Sequence, residues 1–102
     1  GGKNWITLKL VGRQAIDGTG SNADGIGARV YLTIVSESGD TLTLVQEVRS
    51  GSSYISMDSV ELEFGLGDAE VVENIFIFWP SRTQQTLTDV EVNQVLEIVE
   101  SR

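Results

Sequence analysis

Apolar and polar residues alternate with a period of two over most of this chain, the spacing of strands that bury one face. Residues 4–12 open the pattern, with Ile6, Leu8 and Leu10 alternating with Thr7, Lys9 and Val11. Ile26, Ala28, Val30, Leu32 and Ile34 repeat it against Arg29, Tyr31 and Thr33. Ser38-Gly39-Asp40 carries turn chemistry, and Leu42, Leu44 and Val48 continue the period, which predicts a hairpin. The serine-rich stretch 49–59 reads as a connection from which Tyr54, Ile55 and Met57 tuck inward. Val60, Leu62 and Phe64 then alternate with Glu61 and Glu63, which face water. Residues 65–68 read as a tight turn in which Gly65 and Gly67, both at positive φ, flank a Leu66 that plugs the core.

The second half is less regular. Residues 71–79 are apolar on both parities, which predicts a strand covered on both faces, and Pro80 ends it. Phe64, Phe76 and Phe78 are expected in the core, and Trp79 in a half-buried packing role. Residues 83–88 make a weak edge strand. Val92, Val95, Leu96 and Val99 fall at helical spacing behind a Thr88-x-x-Glu91 capping box. The β-branched content of the same segment decides for a strand over 94–100. About seven short strands with little or no helix define an all-β fold, an antiparallel β-sandwich or a partly open barrel. Residues 1–3 read as a linker remnant and 4–102 as one domain.

Composition narrows the chemistry. There is no cysteine and no histidine in 102 residues, so disulfides, thiolate nucleophiles and the commonest general base are missing. An enzyme is not expected, and no cofactor is implied. Seven basic and fifteen acidic side chains give a net charge of −8, and all of that excess lies in residues 52–102. Such a charge opposes nucleic acid and anionic lipid, and no apolar run is long enough to insert in a membrane. The acids between Arg49 and Arg82 (Asp58, Glu61, Glu63, Asp68, Glu70 and Glu73) are read as a solvated face.

Two kinds of site remain to be weighed. The glycine-rich loop 17–25 offers Asp17, Asn22 and Asp24 as calcium candidates, but the EF-hand spacing fails. Counted from Asp17, Asn22 stands where glycine is required and Ala28 where glutamate is required. A structural turn is the stronger reading of that loop. Serines 50, 52, 53 and 56 cluster with nothing beside them to activate one. Trp5 and Tyr31 lie on the polar parity of their strands, and two exposed rings would permit carbohydrate stacking.

Several motifs together resemble a known family. Asp24-Gly25-Ile26-Gly27-Ala28-Arg29-Val30, Glu47-Val48-Arg49-Ser50-Gly51-Ser52-Ser53-Tyr54 and Phe64-Gly65-Leu66-Gly67-Asp68 follow in order. Trp79-Pro80-Ser81, Gln85-Thr86-Leu87 and Asn93-Gln94-Val95-Leu96 complete the set. Over residues 4–100 the chain resembles the ASPIC/UnbV domain of bacterial surface proteins and of cartilage acidic secreted protein. The resemblance implies a domain without assigned catalytic activity, placed after FG-GAP-type repeats that form a β-propeller in the parent. It also implies an extracellular, cell-surface or periplasmic location and a protein, matrix or glycan partner. The chain departs from the pattern at Ala23, where arginine is usual, and at Arg82, where glycine is usual. It also carries Asp17-Gly18-Thr19-Gly20 as an apparent insertion. The Arg82 departure predicts a different turn after Pro80. Gly27 is expected at a bulge or a close backbone approach. Glycines, aliphatics and one turn proline make a folding signature.

Overall fold

The computed structural model describes residues 3–12, 27–48, 54–55 and 60–100. Among them the period-two segments become eight strands and no helix: β1 (Asn4–Val11), β2 (Arg29–Val35), β3 (Thr41–Glu47), β4 (Tyr54–Ile55), β5 (Val60–Gly67), β6 (Val71–Phe78), β7 (Gln84–Glu91) and β8 (Val95–Val99). They form two four-stranded sheets, ordered β4-β5-β1-β8 and β3-β2-β6-β7, packed as a sandwich. Ile6, Leu8, Leu10, Leu62 and Phe64 face Val30, Leu32, Ile75 and Ile77 across the interior, all with side chains closed to solvent. The alternation read from the sequence is therefore the alternation of the core. β1 lies antiparallel to β5 but parallel to β8, Thr7–Val11 pairing with Val95–Val99, so the sandwich is not wholly antiparallel.

The structure corrects three expectations. Residues 65–67 do not turn: β5 runs on to Gly67, and only Gly67 of the two glycines has positive φ (59°). Leu66 is buried as expected. β6 is covered on one face only. Val72, Ile75 and Ile77 point inward, whereas Phe76 is half-buried on the outer face and Phe78 is 38% exposed, so neither ring joins the core. A bulge at Glu73, where the pairing with β2 steps from Thr33–Asn74 to Ile34–Val72, brings Val72 to the face of Ile75 and Ile77, while Phe76 and Phe78 stay on the other. β7 breaks parity beside it, with Leu87 and Val90 both turned in and Asp89 at φ 53°.

The third correction concerns Trp79, which is not half-buried but fully enclosed, with its indole Nε1 donating to Gln85 Oε1. Gln85 Nε2 in turn donates to the Val99 carbonyl (3.1 Å). Beside it Ser81 Oγ donates to the buried Glu100 carboxylate, and the Glu100 N–H donates to the Val11 carbonyl (2.9 Å). The turn after Pro80 contains a left-handed residue. Arg82 adopts φ 76°, the conformation a glycine would supply, and its N–H closes the turn on the Trp79 carbonyl (2.8 Å). An arginine is thus strained into the left-handed region. Gly27 does mark a close approach, since at φ 98° a Cβ on it would stand 3.3 Å from Pro80 Cγ.

These geometries order four substitutions. Gly27→Ala combines a disfavoured φ with the Pro80 contact and costs well over about 1 kcal/mol. Gly67→Ala meets open space, so it costs only the left-handed strain of about 1 kcal/mol. Gly65→Ala, in open space at ordinary φ, is neutral or slightly stabilising. Arg82→Gly stabilises by up to about 1 kcal/mol. Urea midpoints of the four variants check the order, and a destabilised Arg82→Gly would refute the account of that turn.

Candidate functional site

The open features of the sandwich gather at the end where β2 turns into β3, β5 passes into β6 and β7 passes into β8. Each connection is held by its own polar contacts. In the first, the Ser36 N–H donates to the Asp40 carbonyl and the Gly39 N–H to the Ser36 carbonyl (both 2.9 Å), with Gly39 at φ 90°. Ser38 Oγ donates to Asp40 Oδ2 (3.1 Å), and the Asp40 N–H to Ser36 Oγ (3.2 Å). In the second, Asn4 Nδ2 donates to the Ala69 carbonyl (2.7 Å).

The third connection turns at Asn93, whose φ of 59° aims its side chain back at β1. Asn93 Oδ1 accepts the Trp5 N–H (3.0 Å), Asn93 Nδ2 donates to Asn4 Oδ1 (3.0 Å), and the Asn93 N–H donates to the Trp5 carbonyl. Asparagine suits the position because it tolerates the left-handed region and supplies both a donor and an acceptor. The Asn93-Gln94 motif thus clasps the start of β1 to the last crossover.

Between these connections lie two adjoining depressions. The first, about 440 Å³, is lined by Glu37, Asp68, Glu70, Glu73 and Asp89, with Val35 and Val71 as its apolar wall. The second, about 430 Å³, is mainly apolar: buried Ile34 and Leu66, exposed Leu42, Gly65 and Gly67 line it, with Asp40 and Thr41 beside them. Ser36 and Asp68 line both, so the two are continuous. The Glu73 bulge and the left-handed Asp89 bring the acids of β6 and β7 to this end. No cation lines either depression. Among the described residues no three acids converge as a metal site.

The sequence-predicted candidates fare differently. Asp17, Asn22 and Asp24 lie outside the described residues, as do Ala23, Arg49, Met57 and serines 50, 52, 53 and 56. Trp5, 37% exposed, stands on the outer face of the β4-β5-β1-β8 sheet, and Tyr31 on the outer face of the other. The sandwich separates them, so they cannot form a shared platform for a sugar. Tyr31 is also partly covered, its ring tilted 51° against Phe76 at 6.0 Å between centroids. Its hydroxyl and then the Glu47 carboxylate, 3.1 Å away, favour the charged guanidinium of Arg29 and raise its pKa. Of the acids read as a solvated face, Glu61 and Glu63 lie on the outer side of β5, Glu70 and Glu73 are exposed and line the cleft with Asp68, Glu37 and Asp89, and Asp58 lies outside the described residues. That convergence has no linear signal, because its members come from four separate connections and strands.

These features define an all-β sandwich domain with acidic residues gathered at one end. The chain belongs to the ASPIC and UnbV family, whose sequence model matches residues 18–102. That membership is consistent with an accessory domain of a larger protein. No curated protein and no solved structure matches the chain.

The clasp gives a direct test. Asn93→Gly keeps the left-handed backbone accessible while removing both side-chain bonds, and is expected to cost about 1–2 kcal/mol. Chemical denaturation measures it, and an unchanged midpoint would show that the clasp contributes nothing.

Proposed function

We propose that the domain is a non-catalytic interaction module of a larger secreted or cell-surface protein, and that its acidic end meets a basic protein partner. The observation that carries this reading is the convergence of five carboxylates on one rigid end without a lining cation. A preformed acidic surface attracts and orients a basic partner before contact, and its rigidity spares the ordering cost of binding. Membership of the ASPIC and UnbV family supports the role of an accessory domain beside other domains of its parent. The missing histidine and cysteine support a role without catalysis. The two rings that would first be weighed for a sugar, Trp5 and Tyr31, lie on opposite sides of the sandwich and share no platform, whereas Tyr31, Phe76 and Phe78 share the outer face of the second sheet.

Immobilised polylysine and heparin provide the test, at low and high salt. The domain is expected to bind polylysine at low salt, to release it near 0.5 M salt, and to ignore heparin. Reversing charge at this end (Glu37→Lys with Glu70→Lys) weakens the binding at least fivefold. The same number of reversals on the outer face of the first sheet (Glu63→Lys with Glu97→Lys) weakens it less than twofold. Equal losses from the two pairs would mean that net charge alone acts and that this end is no site. Retention on heparin would exclude a basic partner.

A further inference from the structure

We propose that the apolar depression beside the acidic cleft seats one hydrophobic side chain of an extended basic peptide segment, whose lysines or arginines then lie along the cleft. The inference rests on the reading of the acidic end as a site for a basic partner and specifies how that partner is chosen. Leu42 sits near the start of the edge strand β3 and leaves 55% of its surface in water, beside buried Ile34 and Leu66. Gly65 and Gly67 line the same depression, and even an added Cβ on either would meet nothing within 4 Å. The depression is therefore open above a side-chain-free stretch of backbone. An extended chain can approach closely there, which a wall of larger residues would prevent.

The neighbouring charges commit the occupant. Asp68 borders both depressions, so a segment anchored by its apolar side chain in one passes directly into the other. Among the described residues none of Glu37, Asp68, Glu70, Glu73 and Asp89 has an ion-pair partner. Cationic side chains entering the cleft would supply partners without displacing existing ones. A second copy of the chain, at net charge −8, would set these carboxylates against their own kind. The frame costs little to order, because its turn is already fixed by the Ser36, Ser38 and Asp40 bonds. Hydrophobic anchor and charge together make the selection: a basic segment lacking the anchor gains only screened attraction, and an apolar segment lacking basic residues gains only the groove.

A fluorescent eight-residue peptide carrying one leucine followed by three lysines is the probe, read by anisotropy, with amide chemical shifts to map its position. Replacing the peptide leucine by serine, or Leu42→Ser in the domain, is expected to weaken binding at least fivefold. The Leu42→Ser variant should bind polylysine as the unaltered domain does, which separates failure of the groove from failure of the acidic end. Glu37→Lys with Glu70→Lys should weaken both ligands at least fivefold. Thermal melts of each variant establish that it is folded, and Thr41→Leu, which adds an apolar side chain at the rim, offers a second variant expected to tighten the peptide. Peptide affinity indifferent to both the peptide leucine and Leu42, shifts confined to the opposite end, or self-association that occupies these residues would overturn the proposal. Calcium-specific shifts of the five acids that exclude the peptide would overturn it as well.

Discussion

Among the described residues no strand pairs across the two sheets, so the sandwich depends on apolar inner faces that must meet in register. Burial is the term that holds two such sheets together, and it acts only on residues that the pleat turns inward. Among the described side chains of β3 and β7, two polar residues occupy inward positions, and both are glutamines. Gln46 of β3 donates to the Glu63 carbonyl of β5 (2.8 Å), and Gln85 of β7 donates to the Val99 carbonyl of β8. Each amide thus reaches from one sheet to a backbone acceptor of the other, at opposite edges of the sandwich. Carbonyls at a sheet edge otherwise depend on water or on a foreign strand, and side-chain capping answers both needs.

The paired irregularity of β6 and β7 links this architecture to the acidic end. Glu73 is the extra residue of the bulge, and Asp89 takes a left-handed conformation beside it, so inward parity is restored on both strands at once. Val72 and Val90 can therefore return to the core while Glu73 and Asp89 stay at the rim of the cleft. A regular pair of strands would have turned one of these sets the wrong way. The acidic rim and the closed core at this end share one backbone feature.

Much of the fold was legible because burial follows a period of two in β1, β2 and β5, where Leu8, Leu32 and Leu62 take the places their spacing predicts. β8 was legible through its β-branched residues, against a competing helical spacing. Other features were not. The two apolar parities of β6 look the same whether a strand is covered on both faces or bulged, and only the pairing with β2 distinguishes them. Gly65 and Gly67 are the same residue type, yet only one needs positive φ, and the choice depends on where β5 stops. At Arg82 the residue type gave no sign of the backbone, because arginine rarely adopts the left-handed region that this turn requires. The site was the least legible part, because Glu37, Asp68 and Asp89 become neighbours only once separate connections meet at one end.

The parallel pairing of β1 with β8 carries a consequence for the order in which the chain assembles. Residues 7–11 find their neighbours at 95–99, nearly the whole domain later. The hairpins β2–β3 and β6–β7 close over short loops and can form as soon as their residues are available, whereas this contact waits for β8. On a ribosome, β1 therefore waits longest for the last of its two partner strands. Its alternation of Lys9 and Thr7 with the buried leucines keeps that waiting edge from being uniformly apolar. Such a fold matures in a late, concerted step, and the clasp from Asn93 to Asn4 and Trp5 is positioned to register its completion.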